Sequence, residues 1–208
     1  FYNEINRNID IIGFDACLMQ AMEVAYQFTD MADYMVGSED LEPATGWDYG
    51  FLDELYDDPD LTPLDLAIEV WDYYRNYYRN ATEVTLSILD LSFCENIKQS
   101  LDSFSTIAIN SGIASTHFNT ARDSAYEFGW RESWDLKGYM EAIINSSDMN
   151  TTVKNAAGAV NTALDDIVIF NWHRGYGANT IGGLSIYLHT VTTAYQEHHN
   201  FGQNTSWD

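Results

Sequence analysis

Short apolar runs alternate with longer stretches of helical periodicity along the first part of the chain. Residues 9–14 are apolar on both faces, as a buried strand of a parallel sheet would be. Leu18, Ala21, Met22, Ala25 and Phe28 recur at helical spacing and predict a helix over 18–29. Residues 33–37 predict a second short strand, and 38–49 are rich in turn residues and predict a loop. Thr62-Pro63-Leu64-Asp65 supplies a cap and a proline at the first helical position, opening a helix that runs to Arg79. Residues 83–90 alternate and are β-branched, which predicts a strand. Helical patterns fill much of 92–166, with breaks near Gly112, Gly129 and Asn145–Asn150. Residues 167–172 and 183–189 close the pattern as two apolar strands around the glycine-rich turn from Gly175 to Gly183. No repeat, low-complexity tract or linker interrupts it, so 1–208 is expected to form one domain. The alternation predicts an α/β layered fold with a mostly parallel sheet, its faces covered by the helical middle.

Composition narrows the functional classes. The 208 residues are 46% hydrophobic and 14% aromatic, enough for a sizeable core. A net charge of −23 repels phosphate backbones and anionic membrane surfaces, which argues against nucleic acid and membrane partners. It favours cationic partners, bound calcium or plain solubility, and solubility is the simplest reading. No stretch is long enough for a membrane span. The chain opens on Phe1 rather than Met, without a signal peptide, as expected of a piece from inside a longer gene product.

The candidate chemistry centres on Cys17. Its run, Gly13-Phe14-Asp15-Ala16-Cys17-Leu18-Met19, puts a thiol where a strand hands over to a helix. Carboxyl ends of strands are where open α/β sheets bind ligands, and a helix N-terminus would add the positive end of the macrodipole. Cys17 and Cys94 are the only cysteines, too few for a disulfide framework. Both are expected to be free, Cys94 as a small buried helix residue. Asp15 shares a strand face with Cys17 if the chain stays extended, and it could receive a basic side chain or serve as a helix cap. A thiol nucleophile needs a base, and all five histidines follow Cys17. His117 reads as a surface residue and His198 and His199 as solvated tail; His173 and His189 follow apolar runs and are the in-chain candidates. The acidic stretch Asp53, Glu54, Asp57, Asp58 and Asp60 lacks the glycine and terminal glutamate of an EF-hand loop. Zinc spacing, phosphate loops and dinucleotide fingerprints are absent from the sequence, so no cofactor is expected.

Phe14-Asp15-Ala16-Cys17-Leu18-Met19, followed by Glu23-Val24-Ala25, resembles the catalytic-cysteine motif of the clostripain-like peptidases, family C11 of the caspase-like clan. Further runs resemble the family in order: Gly37-Ser38-Glu39, Glu42-Pro43 and Gly46-Trp47-Asp48-Tyr49; then Thr85 to Leu91; then Gly183 to Tyr187; then Ser206-Trp207-Asp208. The resemblance implies a caspase-like α/β/α sandwich that lacks its N-terminal strands in this chain. It implies an endopeptidase that uses a Cys–His dyad, often after Arg or Lys. Cys17 is then the nucleophile, with Asp15, Glu39 and Thr45 as substrate-binding residues. The family's histidine precedes its cysteine, so the resemblance implies a partner light chain or N-terminal segment carrying it, and a chain that is inactive alone. Thr45 stands where the family often has an acid, and Gln20 where it usually has a small residue. Some relatives depend on calcium, and relatives are often exported. Two alternatives stay open. One is a papain-like peptidase pairing Cys17 with His173, although Leu18 and Ile11 do not fit that motif. The other is a non-catalytic module that binds basic partners through its acidic surface.

Overall fold

The computed structural model describes residues 8–129 and 132–189. His198, His199 and the Ser206-Trp207-Asp208 run lie outside the described residues. Strands β1 (Ile9–Gly13), β2 (Ala32–Gly37), β3 (Val84–Asp90) and β6 (Val168–Arg174) form one sheet in the order β1-β2-β3-β6. β1 and β2 are parallel, but β2–β3 and β3–β6 are antiparallel, so the sheet is mixed rather than mostly parallel. Helix–strand alternation announces crossovers, but strand direction depends on which sheet edge each crossover reaches, and the periodicity does not carry that. β4 (Glu127–Phe128), β5 (Ser133–Asp135) and β7 (Ser185–Tyr187) form a second, small antiparallel sheet. The last two strands belong to different sheets, and two short strands interrupt the expected helical middle.

Helices pack on both faces of the larger sheet. Met35 and Leu89 point into a core with α1 (Met22–Gln27), α4 (Cys94–Asn110), α6 (Leu136–Asn145) and α7 (Thr151–Ile167). Val36, Leu86 and Ile88 point the other way, toward Ala67, Val70 and Tyr74 of α3 (Pro63–Tyr77) and Phe51 of α2 (Phe51–Asp57). The remaining helix, α5 (Ser115–Arg122), lies against α6. The start of α3 follows from sequence: the Thr62 hydroxyl accepts from Asp65 N–H, the Asp65 carboxylate accepts from Thr62 N–H, and Pro63 occupies the first turn. No helix among the described residues is long and apolar enough to cross a membrane.

The segment after β1 departs from the expected helix. Residues 17–18 form a turn, Leu18 has φ +62°, and α1 starts only at Met22. Neighbouring backbone supplies the reason. Leu18 N–H donates to Asp40 O and Gln20 N–H to Ser38 O, both at 3.0 Å, and Ala21 bridges Ser185. Amides held by an adjacent loop are unavailable to a helix. Cys17 is therefore not at a helix N-terminus, and α1 has only six residues with which to build a dipole.

Candidate active site

Because β1 and β2 are parallel, the loops that follow them emerge at the same end of the sheet. The first loop carries Asp15 and Cys17; the second carries Glu39, Glu42, Thr45, Trp47 and Tyr49. The two are laced together. Besides the bonds to Asp40 and Ser38, Glu42 N–H donates to Cys17 Sγ at 3.2 Å. The thiol of Cys17 is free and exposed. Cys94 is free too but fully buried at the start of α4, where desolvation pushes its thiol up to about 11. The structure thus separates an accessible sulfur from an inert one.

Asp15 is exposed at the end of β1's loop and does not cap a helix. Its Oδ2 accepts from Trp47 N–H at 3.1 Å and from Tyr49 OH at 3.0 Å. Gly46 permits this closeness: its φ is +67°, and a Cβ there would lie 2.6 Å from Asp15 Oδ2. Gly46→Ala is expected to cost about 1–2 kcal/mol in left-handed backbone strain alone. A thermal melt should show a midpoint lower by several degrees.

Thr45 is exposed, and its hydroxyl meets Tyr78 OH at 2.7 Å, while Tyr78 OH also reaches Gly46 O at 2.6 Å. Glu39 sits beneath the loop instead of on its surface. It is buried, its N–H donates to Thr85 Oγ1 at 2.9 Å, and its Oε2 accepts from Gly183 N–H at 3.1 Å. Burial, then the neighbouring Asp135, push its carboxyl well above the usual range. The expected set therefore divides: Cys17, Asp15 and Thr45 share one open end of the sheet, and Glu39 supports that end from within.

Sequence reasoning passed over Glu42 and the aromatics around it as functional residues. Tyr74 OH donates to Glu42 Oε2 at 2.9 Å and Trp47 Nε1 to Oε1 at 3.4 Å. Burial dominates and raises this carboxyl to about 7 against the two hydrogen bonds, with Asp15 adding repulsion. Tyr74 and Tyr78, four apart on and just beyond α3, were the available signal: i,i+4 tyrosines offer two hydroxyls to one place. Gln20, the departure noted in the sequence, is also accounted for. Its Nε2 donates to Ser87 O at 3.0 Å and Ser87 Oγ at 2.8 Å, tying the Cys17 loop to β3. A Cβ at Gly37 would lie 2.7 Å from Gln20 Oε1, so a side chain there would push the glutamine carboxamide aside.

No histidine among the described residues is hydrogen-bonded to Cys17. His117 faces Asp148 at 3.2 Å and His189 faces Glu132 at 2.8 Å, while the His173 ring packs edge-on to Tyr176. Among the described residues, no group of three His, Cys, Asp or Glu side chains is arranged to hold a metal.

Cys17 thus presents an exposed thiol between the two loops that follow β1 and β2. Comparisons with known proteins name the class. The chain belongs to the clostripain family, whose sequence profile matches residues 4–208. Solved structures of cysteine proteases share the fold. A clostripain from Bacteroides thetaiotaomicron in complex with the peptide inhibitor BTN-VLTK-AOMK matches with TM-score 0.71 and 18% identity, over 99% of this chain and 88% of that one. An inactive zymogen C11 protease from Parabacteroides distasonis matches with TM-score 0.69 and 20% identity, over 96% of this chain. A secreted C11 cysteine protease from Bacteroides thetaiotaomicron, bound to an irreversible peptide inhibitor, matches with TM-score 0.64 and 19% identity, over 97% of this chain. This chain spans 57% and 60% of the length of the latter two. A comparison with curated proteins finds no match. Family membership sets aside the papain-like alternative.

Proposed function

We propose that residues 1–208 are the cysteine-bearing part of a caspase-like peptidase domain, an endopeptidase in which Cys17 is the nucleophile. The exposure of Cys17 between the two loops at the sheet's carboxyl end, in a chain of the clostripain family, carries this reading. The Cys17 thiolate attacks the scissile carbonyl carbon, and the backbone N–H of Cys17 helps hold the oxyanion. A histidine accepts the thiol proton and passes it to the leaving amine. The resulting thioester is then cleaved by water, which restores the thiol and releases the acid. That histidine comes from an N-terminal segment or light chain outside residues 1–208, as do the remaining strands of the sandwich. Asp15 faces the same opening and selects substrates with a basic side chain.

The test uses a biotinylated peptidyl acyloxymethyl ketone on the intact gene product, with the adduct mapped by mass spectrometry. One adduct on Cys17 and none on Cys94 is expected. Residues 1–208 expressed alone should turn over no peptide until the preceding segment is added. An adduct on any other residue, or hydrolysis by residues 1–208 alone, would overturn the assignment.

A further inference from the structure

Gln20 is fully buried, although it follows the exposed Cys17 closely in a segment that forms no helix. We infer that Gln20 is a positioning residue for the reaction at Cys17: its side chain locks the thiol's loop onto β3 and so fixes where the sulfur and the Cys17 N–H stand. The inference rests on the peptidase reading above.

The first support is a closed circuit of buried hydrogen bonds. Gln20 Nε2 donates to Ser87 Oγ at 2.8 Å and to Ser87 O at 3.0 Å. Ser87 Oγ gives its one proton to Gly183 O at 2.5 Å, so toward Gln20 it can only accept. Ser87 O also only accepts, which turns the amide nitrogen of Gln20 toward β3. Gly183 N–H donates to Glu39 Oε2 at 3.1 Å, and Ser38, the residue before Glu39, accepts Gln20 N–H at 3.0 Å. Gln20 O accepts from Ser185 N–H at 3.0 Å. The circuit thus runs from the Cys17 loop to β3, to the segment that enters β7, to the loop after β2, and back. Gln20, Ser38, Glu39, Ser87, Gly183 and Ser185 are all buried. A buried network whose donors meet acceptors rigidifies the segments it joins.

The second support is the backbone beside the thiol. Leu18 has φ +62°, a conformation that a bulky side chain keeps only where its surroundings impose it. Two amides flank that reversal, Leu18 N–H on Asp40 O and Gln20 N–H on Ser38 O. Of these two residues, Gln20 is the one whose side chain also reaches β3. Cys17 itself is held lightly: its side chain is exposed and its sulfur accepts from Glu42 N–H at 3.2 Å. Loss of the tie to β3 therefore lets the Cys17 N–H, which faces the oxyanion, drift with its loop. A misplacement of about 1 Å at a reacting group costs about a hundredfold in rate.

The experiment uses the intact gene product and a fluorogenic peptide amide. Each preparation is titrated with the biotinylated acyloxymethyl ketone of the same peptide, so that kcat is counted per labelled Cys17. Gln20→Met keeps the length of the side chain and removes its donor. It should lower kcat per labelled site by about 10–100-fold. KM should change by less than about threefold, because Asp15 and Thr45 keep contacts of their own with Trp47 and Tyr78. Alkylation of Cys17 by iodoacetamide, which needs no oxyanion hydrogen bond, should stay within about twofold. Ser87→Ala should lower kcat in the same direction, and the double variant should lie within about twofold of the worse single one, since both act through one contact. Cys94→Ala is the control for a purely structural role, with a lower melting point and an unchanged kcat per labelled site. The same pattern in Gln20→Met overturns the inference while leaving the nucleophile assigned. So do effects of Gln20→Met and Ser87→Ala that multiply independently, or an iodoacetamide rate that falls in step with kcat. If Gln20→Met does not fold, Ser87→Ala decides: an unchanged kcat per labelled site overturns the inference, and a lowered one upholds it. Failure of the ketone to label Cys17 in the unsubstituted protein sinks the peptidase reading and this inference with it.

Discussion

Exchanging Cys17 for alanine in the intact gene product is expected to abolish peptide hydrolysis, lowering kcat by roughly 10³-fold or more. Removing a covalent nucleophile removes the two-step path itself, and what remains is binding and oxyanion stabilisation around a water molecule. Cys17 is exposed and contributes little packing, so the variant should melt within about 1 °C of the parent, as surface substitutions do. Cys94→Ala should show the reverse pattern. That sulfur is buried in the core shared by α1, α4 and α7, so its loss should lower the melting point while leaving turnover intact. The comparison is read from kcat and thermal midpoint on the two single variants. Retained turnover in Cys17→Ala would remove that residue from the mechanism whatever happens at Cys94.

The place of Cys17 after β1 was legible because one short run combined an apolar strand, an acid and a thiol before a change of periodicity. Its setting was less so. The helical spacing of Leu18, Ala21 and Met22 is real, but Leu18 and Gln20 give their amides to Asp40 and Ser38, and a partner loop does not appear in local periodicity. The β3 strand was readable from its alternation, whereas its antiparallel pairing with β2 was not. Glu39 and Glu42 show the same limit for side chains. Both are acids in a turn-rich loop, and sequence alone treats them alike. The structure turns one inward toward Gly183 and the other into the tyrosines of α3, because Thr85 anchors the loop on the first side and Cys17 meets it on the second.

Asp135→Ala is expected to be the most destabilising single change at this end of the molecule, by about 3–5 kcal/mol. Asp135 is fully buried and caps α6, with Oδ1 accepting from Gly138 N–H and Oδ2 from Gly182 N–H, each at 2.5 Å. Alanine leaves the Gly138 and Gly182 N–H donors unpaired in the interior, at about 1–3 kcal/mol each, the first of them being the lost cap of α6. Glu39 takes the next amide, Gly183, so the two carboxyl groups sit side by side across consecutive glycines. Both are pushed up, Asp135 to about 6, with burial the largest cause in each. Glu23 is raised to about 7 by the same cause. Raised carboxyl values mean that the folded chain binds more protons than the unfolded chain between about pH 4 and 7. The stability they contribute is therefore present at low pH and lost as pH rises through the folded values. Chemical denaturation should give a larger unfolding free energy at pH 5.5 than at pH 8. The net charge of −23 also disfavours the compact state at high pH, so a second variant isolates the pair. Asp135→Asn keeps one acceptor and gives Glu39 a donor in place of a repelling acid, so the fall between pH 5.5 and pH 8 should shrink. A parent stability that rises across this window would exclude raised values at these carboxyl groups. Glu39 also opens the loop that carries Glu42 and Thr45, so the pair ties Gly182 and Gly183 to the loop that meets Cys17.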